Sequence, residues 1–287
     1  MIYLLLSIVS STLIFLIFKQ FGKYEIDNFQ AIVFNYILAA LISFFLIDVD
    51  VDLGTMFNES WFIVAIITGV MFITMFNLMA VTTQKIGVAV TSVASKVSLI
   101  IPVFLAVFLY GDEMTPTKII GIAIAVLSVF LTFYSGEKSF KLGRLWILPV
   151  VLFLGTGLLD TIMKYSQSAL LSEEDFNTFS SVLFFEAALI GLVILVFKRL
   201  VYGSKIKKKN IIAGFTLGLP NYGSIFFLLQ TLEHGNMESS VVFPLNNMSI
   251  VVLSAVLAFV FFKEKLSGIN WIGIFSSIIA IAIISFA

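Results

Sequence analysis

Cysteine is absent from the 287-residue chain and histidine occurs once. The first absence excludes disulfides, thiolate nucleophiles and cysteine-based metal sites; the second leaves a histidine-built metal centre without ligands, so no metal or other cofactor is expected. Charge is scarce as well. Only 12% of residues are charged, where soluble domains carry about 25%, and 17 basic residues balance 17 acidic ones, so overall charge offers nothing to a nucleic acid. No GxxxxGK[ST] motif occurs, which excludes a P-loop coupling ATP directly to any work. What the chain has instead is hydrophobicity: 60% hydrophobic residues, 31 of the residues Phe, and a mean hydropathy of +1.10.

The apolar residues gather into segments at about 2 to 18, 28 to 47, 61 to 81, 88 to 109, 117 to 135, 144 to 165, 177 to 198, 210 to 232, 239 to 262 and 268 to 286. Each is near the ~20 residues that ~30 Å of hydrocarbon requires of a helix. Strands are excluded because these runs are about twice a barrel strand's length and an open sheet edge cannot sit in lipid. The expectation is an all-α polytopic membrane protein with ten transmembrane helices and short polar loops. The first segment does not read as a cleavable signal, since Met1, Ile2 and Tyr3 give it no basic leader.

Basic residues sort onto one side. Lys19, Lys23, Lys85, Lys138, Lys141, Arg144, Lys198, Arg199, the "KIKKK" run from Lys205, Lys263 and Lys265 all fall in loops of one face, against Lys118 and the near-terminal Lys164 on the other. By the positive-inside rule the basic face is cytoplasmic, which leaves both termini outside, in a bacterial-type inner membrane. The acidic loops bearing Asp48, Asp50, Asp52, Asp112, Glu113, Glu173, Glu174 and Asp175 then lie outside too. The "KIKKK" run is an orientation signal with affinity for anionic lipid, not a nucleic-acid patch.

Sliding the chain against itself by about 145 to 152 positions aligns its halves. "LYGDEMTPTKIIG" (109–121) matches "FFKEKLSGINWIG" (261–273), so that Asp112 falls on Glu264, Thr115 on Ser267 and Gly121 on Gly273; Lys19 falls on Lys164 and Phe29 on Phe176. Residues 1–140 and 141–287 are thus two five-helix repeats. Five is odd, so the second inserts upside down, the inverted-topology arrangement of transporters.

At these residues the chain resembles the ten-helix drug/metabolite transporter superfamily, in its EamA-like branch. That family carries a "G-E-x-L-[ST]" turn after its fourth and ninth helices; here the turns read "GDEMT" and "KEKLS", with lysine in place of the second glycine. The resemblance implies two inverted five-helix repeats forming a basket around a central cavity, lined chiefly by helices 3, 4, 8 and 9. Members commonly keep both termini in the cytoplasm, whereas the charge bias of this chain argues the reverse.

Polar residues within the spans mark candidate sites. Lys96 lies about 12 Å along the fourth span at ~1.5 Å per residue, on one arc with Thr91, Ser92, Ser95 and Ser98, opposite Val93, Val97, Ile100, Ile101 and Phe104. A lysine at that depth costs on the order of 3 kcal/mol and calls for a partner or a wet cavity. It either meets cargo or closes a structural ion pair, with Glu186 of the seventh span as the obvious partner. Glu186 is equally a candidate proton carrier. Asp160 and Lys164, spaced i, i+4 with the acid first, read as an intrahelical structural pair. Asn246 and Asn247 follow Pro244 in "FPLNNMS", and Asn221 and Tyr222 follow Pro220 in "GLPNYG"; each proline either bends its helix for packing or frees carbonyls beside a binding site. His234 reads as a solvated loop residue or a pH-sensitive gate. The substrate-binding set is therefore Lys96, Ser92, Ser95, Asn246, Asn247, Asn221 and Tyr222.

These features describe a secondary transporter, an exporter or exchanger of a small polar or amphipathic metabolite, working by alternating access and driven by protons through Glu186. The alternatives are an uncoupled facilitator, and an intramembrane enzyme or lipid-handling protein. Against catalysis stand the missing cysteine, the single histidine, and the placement of Asp160 and Glu186 on different helices, each with its own basic partner. The expected partners are a small-molecule metabolite and the lipid bilayer, with a homodimer left open.

Overall fold

In lipid every backbone N–H and C=O must find a partner within the chain, and a helix supplies them locally. The computed structural model describes residues 1–46, 59, 61–110, 115–133, 145–170, 175–234 and 239–286, and among them helix is the regular structure, with no strand. The α-helices are α1 (Ile2–Lys23), α2 (Asn28–Leu46), α3 (Phe62–Lys85), α4 (Val88–Val97), α5 (Ile100–Tyr110), α6 (Pro116–Phe133), α7 (Ile147–Tyr165), α8 (Asp175–Tyr202), α9 (Lys208–His234), α10 (Ser239–Phe262) and α11 (Gly268–Phe286). Nine stretches among the described residues are long and apolar enough to cross a membrane, and Pro116–Thr132 of α6 is a shorter tenth. The acidic loop residues Asp48, Asp50, Asp52, Asp112, Glu113, Glu173 and Glu174, and the basic Lys138, Lys141 and Arg144, lie outside the described residues.

One correction concerns the fourth span, which hydropathy reads as a single helix. It is two, α4 and α5, separated by a turn at Ser98 and Leu99. Pro102 explains the break. It has no N–H to offer the Ser98 carbonyl, four residues back, and its ring crowds that oxygen; the Ile101 N–H takes the carbonyl instead, at 2.9 Å. By contrast α9 and α10 run unbroken through Pro220 and Pro244.

The "T" and "S" that close the two repeated turns have a physical job. Thr115 Oγ1 accepts the Lys118 N–H at 3.2 Å at the start of α6, and Ser267 Oγ accepts the Asn270 N–H at 3.2 Å at the start of α11. Both are N-caps, three residues before the amide they satisfy. Asn270 Oδ1 answers by accepting the Ser267 N–H at 2.8 Å, completing a reciprocal box.

The chain divides into two compact units that interleave its halves: residues 1–20, 78–158 and 223–287 form the first, and 21–77 and 159–222 the second. Each has its own two-fold relation. In the first, α6 pairs with α11. A Cβ on Gly121 would lie 2.6 Å from Ile284 Cγ1, and one on Gly273 would lie 2.5 Å from Thr132 Oγ1. Adding 152 converts 121 to 273 and 132 to 284, so the repeat offset exchanges the two contacts. In the second unit, Val33 of α2 fills the space beside Gly191 of α8, and the Ser43 and Ser181 hydroxyls hydrogen-bond. An offset of 148 exchanges these in the same way. In both pairs one partner's number rises as the other's falls, so the helices run antiparallel. A two-fold that exchanges antiparallel spans lies in the membrane plane, and the halves are inverted repeats.

In the second unit α9 crosses α2 through Gly214 and Gly218, a small-xxx-small pair that lets helix backbones approach. A Cβ on Gly214 would press on the Ala31 carbonyl and lie 2.5 Å from Phe34 Cβ, and one on Gly218 would lie 3.0 Å from the Asn35 carbonyl oxygen.

Candidate functional site

α4 is only ten residues long, and nine of them are buried; the exception is Lys96. The apolar arc, Val93, Val97 and Ile100, packs into a core with Ala125 and Val129 of α6, Val251 and Ala255 of α10, and Ile281 and Ile284 of α11. That arc therefore faces helices, while Phe104 further along is half exposed. The polar arc satisfies itself locally. Thr91 Oγ1 donates to the Gly87 carbonyl at 2.6 Å, Ser92 to Ala89 at 2.9 Å, Ser95 to Ser92 at 3.3 Å and Ser98 to Ser95 at 2.7 Å. Each hydroxyl has spent its proton and keeps acceptor capacity only. Lys96 stands in the last turn of α4, where the helix dipole favours a cation, two residues before the break.

The other end of α4 is held from a distance. Gly87 precedes it with φ 138° and ψ 163°, a region open essentially to glycine, and with no side chain it cannot cap the helix. Glu264, in the α10–α11 turn, does so. Its Oε1 accepts the Val88 N–H at 2.9 Å, and its Oε2 accepts those of Val88 and Ala89 at 3.1 and 3.4 Å. A Cβ on Gly87 would fall 2.8 Å from Oε2. Lys19 of α1 forms an ion pair with Oε1 at 3.0 Å and reaches the Thr83 carbonyl at 3.4 Å, and Gln84 Nε2 donates to the Phe18 carbonyl at 3.1 Å. Lys263 takes up the left-handed conformation, φ 52°, at the position where the family turn has glycine. Its backbone lets the Glu264 N–H close on the Ala258 carbonyl at 3.2 Å.

The expected site residues divide between the two compact units. Ser92, Ser95 and Lys96 on α4 share the first unit with Asn246 and Asn247 on α10, the helix whose Val251 and Ala255 pack against α4. Asn246 is buried, and its Oδ1 has no hydrogen-bond partner among the described residues. Asn221 and Tyr222 on α9, Glu186 on α8, and Asp160 and Lys164 on α7 belong to the second unit. Asn221 and Tyr222 are buried. Glu186 is buried against α3, where a Cβ on Gly69 would lie 3.2 Å from its own Cβ. Asp160 and Lys164 are exposed. His234 ends α9, exposed, with its ring 6.3 Å from that of Tyr3.

Two groups escape the sequence reading. The Glu264, Gly87 and Lys19 cluster joins residues up to 245 positions apart, so only its glycine and its acid-bearing turn give a local signal. Asn35 and Tyr36 of α2 are fully buried, and neither the Asn35 amide nor the Tyr36 hydroxyl has a partner among the described residues. Phe72, Phe76 and Phe184 surround the Tyr36 ring at 5.5 to 6.4 Å. Polar neighbours inside an apolar span were the available signal.

Comparison with known proteins bears on the whole chain. An uncharacterized protein of Haemophilus influenzae is 27% identical over 289 residues, which is 97% of this chain and 95% of that one. A protein solved by crystallography superposes with a TM-score of 0.63 at 13% identity, covering 98% of this chain and 94% of the other; at that identity the likeness speaks to the fold. The model of the EamA-like transporter family matches twice, at residues 1–134 and 141–286. With inverted halves, a broken fourth span and almost every residue covered by two copies of one family pattern, the chain belongs to the EamA-like transporter family.

Proposed function

We propose that the protein is a secondary transporter, an exporter or exchanger that moves a small polar or amphipathic metabolite by alternating access, with Lys96 as the charge that meets cargo. One observation carries this reading: in a half-helix buried at every other position, the partly accessible residue is the lysine, and the helix breaks just beyond it. Discontinuous spans place substrate groups against helix ends in inverted-repeat transporters. A cation there suits a carboxylate-bearing cargo. Ser92, Ser95, Asn246, Asn247, Asn221 and Tyr222 complete the proposed binding set, and Asp160 with Lys164 serves orientation.

Glu186 is the proposed proton carrier. After a ligand-stabilisation screen has selected a cargo, flux into proteoliposomes is measured with and without a pH gradient. The wild type accumulates cargo with the gradient, and Glu186→Gln loses that dependence while downhill exchange continues. Undiminished coupling in the variant eliminates Glu186; gradient-independent flux in the wild type makes the protein a facilitator. For orientation, the basic face is proposed as cytoplasmic in a bacterial-type inner membrane. A reporter fused after Ala287 then appears outside the cytoplasm, and a cytoplasmic signal reverses the assignment.

A further inference from the structure

A half-helix of ten residues has almost no interior, so its ends decide where it sits. The first four N–H groups of a helix lack partners inside it, and at α4 the positions that would normally supply a local cap are vacated by Gly87. The replacement comes from the α10–α11 turn, 176 residues away, as a carboxylate spread over two amides, its charge balanced by Lys19. Four pieces of chain thus meet on the basic face: the end of α1, the end of α3, the start of α4 and the turn after α10. We infer that Glu264 is a positioning residue for transport, and that with Lys19 it forms the latch that holds the basic-face end of α4 closed and must release each time the site opens to that side. The inference rests on the alternating-access reading.

The chemistry suits a latch better than a permanent seam. An apolar seam reopens only by exposing hydrocarbon to water, whereas both partners here are already partly accessible, Lys19 at 25% and Glu264 at 12% of their side-chain surface. Water can take over the hydrogen bonds of both charges when they part. Gly87 fits the same role, since its missing side chain leaves room for the carboxylate to seat. Movement of this end carries Lys96, nine residues along one short rigid helix, without any change inside α4.

The absence of cysteine makes the test clean. Thr91→Cys puts one thiol a turn inside α4, at a position fully buried in the latched state, and its reaction with a membrane-impermeant maleimide applied to the basic face reports opening. In the Glu264→Gln background the labelling rate rises about tenfold, equivalent to about 1.4 kcal/mol. In Lys19→Met, which keeps the carboxylate on the helix, it rises about threefold. Ala125→Cys, buried in the α6 core of the same unit, stays unlabelled in both backgrounds. An unchanged Thr91→Cys rate in both backgrounds overturns the latch, and so does an equal gain at Ala125→Cys, which marks a loosened fold. Should Glu264→Gln fail to fold, Lys19→Met decides alone, and no rise there overturns the inference. Lys96→Met leaves both labelling rates as they are, so failure of the cargo reading and failure of the latch are read separately.

Discussion

Lys96→Met lowers transport of a carboxylate-bearing cargo about thirtyfold or more and leaves the protein folded. Methionine keeps the unbranched apolar stem and removes only the ammonium, so the packing of α4 against α6, α10 and α11 survives. Loss of a buried charge partner in recognition costs about 2 to 5 kcal/mol, which is a loss of about thirtyfold to a few thousandfold. Flux and a thermal melt measured on the same preparation check both halves of the statement. Retained transport with unchanged affinity removes Lys96 from the cargo site.

Gly214→Leu unfolds the second compact unit or prevents its insertion. Even the first carbon of the new side chain meets the Ala31 carbonyl and Phe34 Cβ. Backbone at that contact cannot rotate aside as the end of a flexible side chain can. Overpacking of a tight contact typically costs about 1 to 3 kcal/mol and occasionally more, and leucine adds four carbons where none fits. Gly214→Ala shows the onset, a loss of about 2 kcal/mol in a detergent melt. A wild-type melting temperature in Gly214→Ala contradicts the close crossing of α9 over α2.

The spans were legible because hydropathy reports what lies in lipid. Ile2, Asn28, Val88, Ser239 and Gly268 begin helices at or beside the expected positions. Helix ends on the basic face were underestimated, as at Lys23, Lys85 and Tyr202. There the polar residues leave the hydrocarbon while the backbone continues its ladder, and long lysine stems reach water without ending the helix. The division of the fourth span was legible too, through Pro102, but hydropathy averages over a proline that lies among Ile100, Ile101 and Val103. The repeat was visible at Gly121 and Gly273 because both are contact positions of the same symmetric pairing. Of the site, Lys96 was legible as a charge in an apolar run. Glu264 was visible only as part of a turn, since its amide partners are 176 residues away and no local pattern announces a cap delivered across the fold. The serines of α4 show what a helical wheel leaves out: the arc is legible, but not that each hydroxyl proton goes to a carbonyl of its own helix, which leaves the hydroxyls acceptor capacity only.

The exchanged contacts have an energetic corollary. Where one half places Val33 against Gly191, the other places a serine against a serine; where one places Gly121 beside isoleucine, the other places Gly273 beside threonine. Two identical copies joined by such an axis would be equally content facing either side of the bilayer. Unlike copies break that degeneracy, so on the alternating-access reading the two facings differ in energy through mismatched duplicates alone.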